Sequence, residues 1–314
     1  MLGWARSRAS RRAPKPSSAP SLGAFGKLPM KVEYIRHNTA AGEVRALDDW
    51  FQSGAALAAR SHREAGNGSD VGVHNGLFAG PDQTAVMFSV RPSADGIGRL
   101  YPFVVFEVAG LVQGATSETP ALPLAAGRFF GSAPTIVGEA WAEANLPRLL
   151  GRVDRVADSL REGDQSFDRP ASEFLKDLYP DGPEAARVTH LRAVVELMRE
   201  VQARSASRVS WGLRLPFGTQ APLGALAWWL TLARRVIGNS GWAPCAIWAA
   251  TADGPVEGLL FFRQPPVNVA AYLVSGQSLH EAVVDPADHV QSVAPANLES
   301  VRTPVQLIDW LVAA

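Results

Sequence analysis

A single cysteine, Cys245, leaves the chain no internal disulfide framework and no thiolate-rich zinc site. Long apolar runs are missing too. The most apolar stretch, Pro222 to Ile237, falls short of the about 20 residues that cross a bilayer and ends on Arg234-Arg235. Charge of one sign is not in excess either: 30 Lys plus Arg face 30 Asp plus Glu, which removes the electrostatic footprint of a nucleic-acid or membrane-surface binder. The expectation is a cytoplasmic protein with no nucleic-acid partner and no membrane insertion.

Catalytic signatures are equally sparse. There is no Gly-x-Ser-x-Gly elbow for a nucleophilic serine. His280-Glu281 lacks the second histidine one helical turn away that a zinc protease needs; the next is His289. Asp285, Asp288 and His289 are near one another, but Pro286 turns the segment, so a surface loop is expected rather than a metal site. Cys245 sits in an apolar strand pattern that would keep a thiol protonated and inert. Around Gly23 and Gly26 the glycines are too close for a phosphate-binding loop, and Leu28 stands where its hydroxyl would be. No catalytic residue, metal ligand or cofactor is therefore expected.

What the chain does hold is a regular alternation of helices and short strands. Gly23 to Pro29 reads as a flexible turn running into a rigid one. A helix from Glu43 to Glu64 follows, with Val44, Leu47, Trp50, Phe51 and Leu57 on one stripe. Ala65 to Gly80 has loop composition. Thr84 to Arg91 and Arg99 to Ala109 read as a hairpin with Asp95-Gly96 at its tip, and Pro102 belongs at a strand start or an edge. Helical spacing returns between Thr135 and Glu162, with a kink or restart at Pro147.

The cleanest helix is Glu184 to Arg204, preceded by Pro183, with Val188, Leu191, Val194, Val195, Met198 and Val201 on its apolar face. Arg208 to Pro216 alternates as a strand with Val209, Trp211, Leu213 and Leu215 to one side. Pro222 to Ile237 is a buried helix, and Pro244 to Thr251 and Val256 to Arg263 form a second hairpin around Ala252-Asp253-Gly254. A terminal helix starts at Thr303-Pro304. This pattern predicts a mixed β-sheet with helices on both faces.

Residues 1–21 hold Arg6, Arg8, Arg11, Arg12 and Lys15 without an acid and predict a disordered basic arm. Residues 22–314 are read as one domain, with an insertion or seam at 163–183.

Three stretches carry a family resemblance: GAFGKLP from Gly23, the helix bearing Asp48-Asp49-Trp50-Phe51-Gln52, and GRLYPF from Gly98 to Phe103. Together they resemble the TagF family of type VI secretion accessory proteins. Val32-Glu33-Tyr34 stands where the family usually has Gly-Asp-Phe, and Tyr34 is expected to fill the aromatic slot. The resemblance implies a three-layer αβα sandwich. It also implies a non-enzymatic cytoplasmic repressor that acts after translation and whose partner is the FHA-domain scaffold protein of the secretion system. Lys27, Glu33, Arg36 and Arg99 flank predicted core and are the candidate partner-binding residues. A structural accessory of the apparatus, or an enzyme with a site assembled from distant loops, stays open at this stage.

Overall fold

Residues 21–61, 72–79, 84–110, 119–156, 169–238, 243–250, 256–276, 279, 282–290, 298 and 300–313 are described in the computed structural model. Residues 1–20 of the expected basic arm, residues 163–168 of the expected seam, the Ala252-Asp253-Gly254 tip and His280-Glu281 lie outside them, while residue 21, the arm's expected end, is Ser21 at the start of a strand.

The strongest periodicities give the clearest elements. The helix with the apolar stripe from Val188 to Val201 spans Glu184–Arg204, with an acid in its first turn and a base in its last to match the helix dipole. The helix starting at Pro222 spans Pro222–Ile237 and is buried nearly all round. Its two tryptophans satisfy their buried N–H groups on neighbouring elements: Trp228 Nε1 donates to Pro304 O at 2.8 Å and Trp229 Nε1 to Pro216 O at 2.7 Å.

Numbered in chain order, the strands are β1 Ser21–Gly26, β2 Ile35–His37, β3 His74–Ala79, β4 Thr84–Arg91, β5 Phe103–Gly110, β6 Gly212–Gly218, β7 Cys245–Ala249, β8 Val256–Phe261 and β9 Val283–Val284. The helices are α1 Gly42–Ser61, α2 Leu122–Ala125, α3 Gly127–Glu139, α4 Leu146–Val153, α5 Ala171–Leu178, α6 Glu184–Arg204, α7 Pro222–Ile237, α8 Val267–Ser275 and α9 Pro304–Ala313. Among the described residues the strands form one sheet in the order β2-β1-β5-β4-β3-β7-β8-β6-β9. Neighbours are antiparallel except β6 and β9, so the sheet is mixed.

Strand alternation sorts the core into two slabs. On β4, Ala85 and Met87 join a cluster with α3, α6 and α7, while Val86 and Phe88 join one with α1 and α8. Both sheet faces are thus covered by helices, and the fold is an αβα sandwich. Trp50 of α1 donates Nε1 to Pro265 O at 3.0 Å, which fixes α1 to the segment entering α8.

Several elements differ from the sequence reading. Gly23 to Gly26 is not a turn; it is the end of β1, hydrogen-bonded to β2 and β5 on either side. Gly26 has φ +124°, and a Cβ there would lie 2.0 Å from Pro102 O, so the position admits only glycine. The loop-like stretch before Gly80 contains β3, paired with β4 and β7. The helix expected from Thr135 is two helices, α3 and α4, and Asn145 Oδ1 caps the second by accepting from Arg148 N at 3.0 Å. Pro147 therefore marks a restart, in a first turn where its missing N–H costs nothing. Val209 and Trp211 precede β6 rather than lying in it. Arg99 lies outside β5, which starts only after Pro102 because a proline cannot donate to the ladder.

Candidate functional site

Three of the four candidate residues, Lys27, Glu33 and Arg99, fall on two loops at one end of the sheet, residues 27–34 between β1 and β2 and residues 92–102 between β4 and β5; the fourth, Arg36, is on β2 itself. Leu28 accepts a turn hydrogen bond from Lys31 N at 3.0 Å, and Ser93 Oγ donates to Lys27 O at 2.6 Å. Gly96 N donates to Lys31 O at 2.9 Å, and an isolated bridge joins Ala94 to Leu100. The two loops are one hydrogen-bonded unit.

At the centre of that unit is Asp95, whose side chain is fully shielded from solvent. Its Oδ2 meets Arg99 Nε at 2.6 Å and Lys27 Nζ at 3.1 Å, and its Oδ1 accepts from the amides of Arg99 at 2.9 Å and Ile97 at 3.2 Å. Burial alone would raise this carboxyl. The Arg99 amide and guanidinium, the Lys27 ammonium and the Ile97 amide outweigh it and hold Asp95 well below the usual carboxylate range. Arg99 also donates from Nη2 to Val32 O at 2.9 Å, tying the second loop to the first.

The same end of the sheet carries a second anchor. Tyr34 OH donates to Asp48 Oδ1 at 2.5 Å, and Tyr101 OH bonds to the same oxygen and, at 3.0 Å, to Asp48 O. The two rings meet edge to face with centroids 5.2 Å apart. Burial, then the Asp48 carboxylate, push the Tyr34 hydroxyl above the ordinary phenol range; burial, Tyr34 and Asp48 do the same to Tyr101. Tyr34 thus packs between Tyr101 and Arg36, whose guanidinium stacks on its ring, Cζ 5.1 Å from the centroid.

Lys27 and Arg99 are therefore brought together by Asp95, Arg36 joins them through Tyr34 and Tyr101, and Glu33 stands exposed on the first loop. Lys27 is largely buried, 16% exposed at its side chain, so it braces the rim rather than presenting a charge; Arg99 is 56% exposed. Sequence reasoning missed Asp95, which reads as an ordinary turn-forming Asp-Gly until Lys27 is brought beside it.

Two titratable groups singled out from the sequence, Cys245 and Asp285, are engaged by the fold itself. Cys245 is buried on β7, and burial pushes its thiol up, away from the thiolate a nucleophile needs. Asp285 caps a 3-10 turn by accepting from Ala287 N at 2.9 Å. Among the described residues no three His, Cys, Asp or Glu side chains converge to hold a metal ion. No described helix is long and apolar enough to cross a membrane. A groove of about 490 Å³ runs along α6 past His289 and Leu311, where Glu196 pairs with Arg199 at 2.5 Å and Glu200 with Arg204 at 3.2 Å along the helix itself.

Comparison with known proteins bears on the rim directly. Residues 23–156 match the family model described as TagF N-terminal domain, Type VI secretion system-associated. No curated protein matches the chain. The crystal structure of PA0076 from Pseudomonas aeruginosa PAO1 is similar over 88% of this chain and 100% of that one, at 15% identity and a TM-score of 0.45, a likeness that carries no argument. The matched span contains both loops, Asp48 and Asp95, so the part of the chain that builds the rim is similar to the TagF N-terminal domain, described as type VI secretion system-associated.

Proposed function

We propose that the chain is a non-enzymatic cytoplasmic regulator of type VI secretion, which represses assembly or activity after translation by binding the FHA-domain scaffold protein of the system. The observation that carries this reading is the match of residues 23–156 to the TagF N-terminal domain, over the span that builds the braced rim. The rim supports it physically. Two loops locked by a buried carboxylate lose little further entropy on docking, which is what a pre-formed interaction surface requires. The mechanism is occlusion: the folded sandwich covers a scaffold surface that assembly needs, and removing it restores assembly.

The test is deletion of the gene in the native bacterium. Type VI substrates accumulate in the medium while transcripts of the secretion genes stay constant. Abolished secretion would instead make the protein a structural accessory, and altered transcripts would remove the post-translational mechanism.

A further inference from the structure

The rim presents more than the polar residues picked out from sequence. Val32 is 45% exposed, Ile97 64% and Leu100 39%, and all three stand on the two locked loops. Singly exposed aliphatic side chains are ordinary on a protein surface; three on one rigid unit are not. The loops are held by Gly96 N to Lys31 O and Arg99 Nη2 to Val32 O, each at 2.9 Å, so the apolar group cannot fold inward without breaking the Asp95 network.

The charges around it have a sign. Residues 27–36 and 92–101 contain Lys27, Lys31, Arg36 and Arg99 against Glu33 and Asp95, a net charge of +2 in a chain whose total is zero. Asp95 is buried and spent on Lys27 and Arg99, which leaves Glu33 as the one exposed acid of these two segments. Lys31 has no ion pair among the described residues, and Arg36 is stacked on Tyr34 with its charge outward.

We infer that Val32, Ile97 and Leu100 form the apolar centre of a docking surface, and that Lys31, Arg36 and Arg99 form a cationic rim that selects a partner protein presenting an apolar side chain flanked by carboxylates. Charge complementarity decides the occupant. A second copy of this chain would bring the same positive rim against this one, and like charges across an interface are repelled. A bilayer surface gains only about 1 kcal/mol per basic residue, too little from so small a net charge for stable adsorption. A partner protein with an apolar side chain flanked by carboxylates meets both the sign of the rim and its apolar centre.

The inference rests on the regulatory reading above, and the experiment separates the two. Purified full-length chain is titrated with the purified FHA-domain scaffold protein by calorimetry at low and high salt. Wild-type chain binds, and more weakly at high salt. Ile97→Ser weakens binding at least about tenfold, as removal of a central interface anchor does. Lys31→Glu and Arg36→Glu each weaken it several-fold and flatten the salt dependence. All three side chains are exposed, and circular dichroism confirms that each variant is folded.

If the wild-type chain does not bind, the regulatory reading fails and this inference falls with it. If the wild type binds and the three folded variants bind equally well, only this inference is overturned. It is also overturned if phosphatidylserine vesicles bind the chain and compete with the scaffold, or if sedimentation shows a dimer that Ile97→Ser dissociates.

Discussion

His74 provides a sharp test of how the sheet is packed. It lies on the central strand β3 between Val90 of β4 and Ala249 of β7, is 8% exposed, and meets Tyr272 of α8 edge to face with ring centroids 5.7 Å apart. Burial lowers its pKa from 6.5 to about 4, and a hydrogen bond with the Gly72 backbone offsets only part of that. Its Nδ1 has no acceptor within reach among the described residues, so an added proton would be both desolvated and unbonded.

The unfolded chain therefore takes up this proton at higher pH than the folded one. Stability associated with His74 is fully present above 6.5 and is lost as the pH falls toward about 4. At about 1.4 kcal/mol for each pH unit, the whole interval amounts to about 3 kcal/mol, a large share of the about 5–15 kcal/mol by which domains are stable. The perturbation is His74→Gln, and the assay is denaturant unfolding followed by tryptophan fluorescence from neutral pH to about pH 4. The wild type loses about 3 kcal/mol more than the variant over that interval. Parallel pH profiles for the two proteins would refute the reasoning.

Three further outcomes follow from the packing. Asp177 of α5, almost fully buried, accepts from Thr219 N and Oγ1 at 2.9 and 2.7 Å and from Arg169 at 2.9 Å; Asp177→Ala strands those donors and lowers unfolding free energy by about 3 kcal/mol. Burial would raise the Asp177 carboxyl, but the Thr219, Arg169 and Gln220 bonds outweigh it and lower its pKa, so wild-type stability also falls as pH drops through the carboxylate range and the variant loses this component. Gly54→Ala in α1 gains about 1 kcal/mol of helix propensity, yet its Cβ would lie 2.4 Å from Ala270 Cβ and 2.7 Å from the Ala270 backbone of α8; overpacking of about 1–3 kcal/mol wins, and the thermal midpoint falls. Tyr101→Phe removes one donor from Asp48 while Tyr34 still holds it; the cost is about 1 kcal/mol in chemical denaturation.

These sites show where sequence reasoning reaches and where it stops. α6 and α7 carry their bounds in local pattern, with proline before or at the first turn and an unbroken apolar face. The β4–β5 pair was legible from its β-branched runs and Asp-Gly turn. β1, by contrast, is small and glycine-rich because β5 packs so closely: the ring of Phe106 fills the space a side chain at Gly23 would need. β3 carries His74 and Asn75, and the Asn75 Oδ1 accepts from Ser89 Oγ of β4 at 2.6 Å, a partner fourteen residues away. β9 is two residues long and held by long-range parallel pairing. Nothing local marks such strands.

The candidate site was half legible for the same reason. Lys27, Arg36 and Arg99 stand out as cations beside predicted core, and Tyr34 was placed in its aromatic slot by resemblance. Asp95 required the fold, since Lys27 reaches it from another strand connection. Val32, Ile97 and Leu100 gained meaning only when both loops were seen locked together with their apolar side chains outward.

Site-specific crosslinking in the native bacterium tests the central claim most directly. A photoreactive phenylalanine analogue is introduced at Ile97 on the rim and, separately, at Gln202 on the exposed face of α6. The account predicts that illumination joins the chain to the FHA-domain scaffold protein from position 97 and not from position 202. Crosslinking from position 202 alone, or to the scaffold from neither, would contradict it.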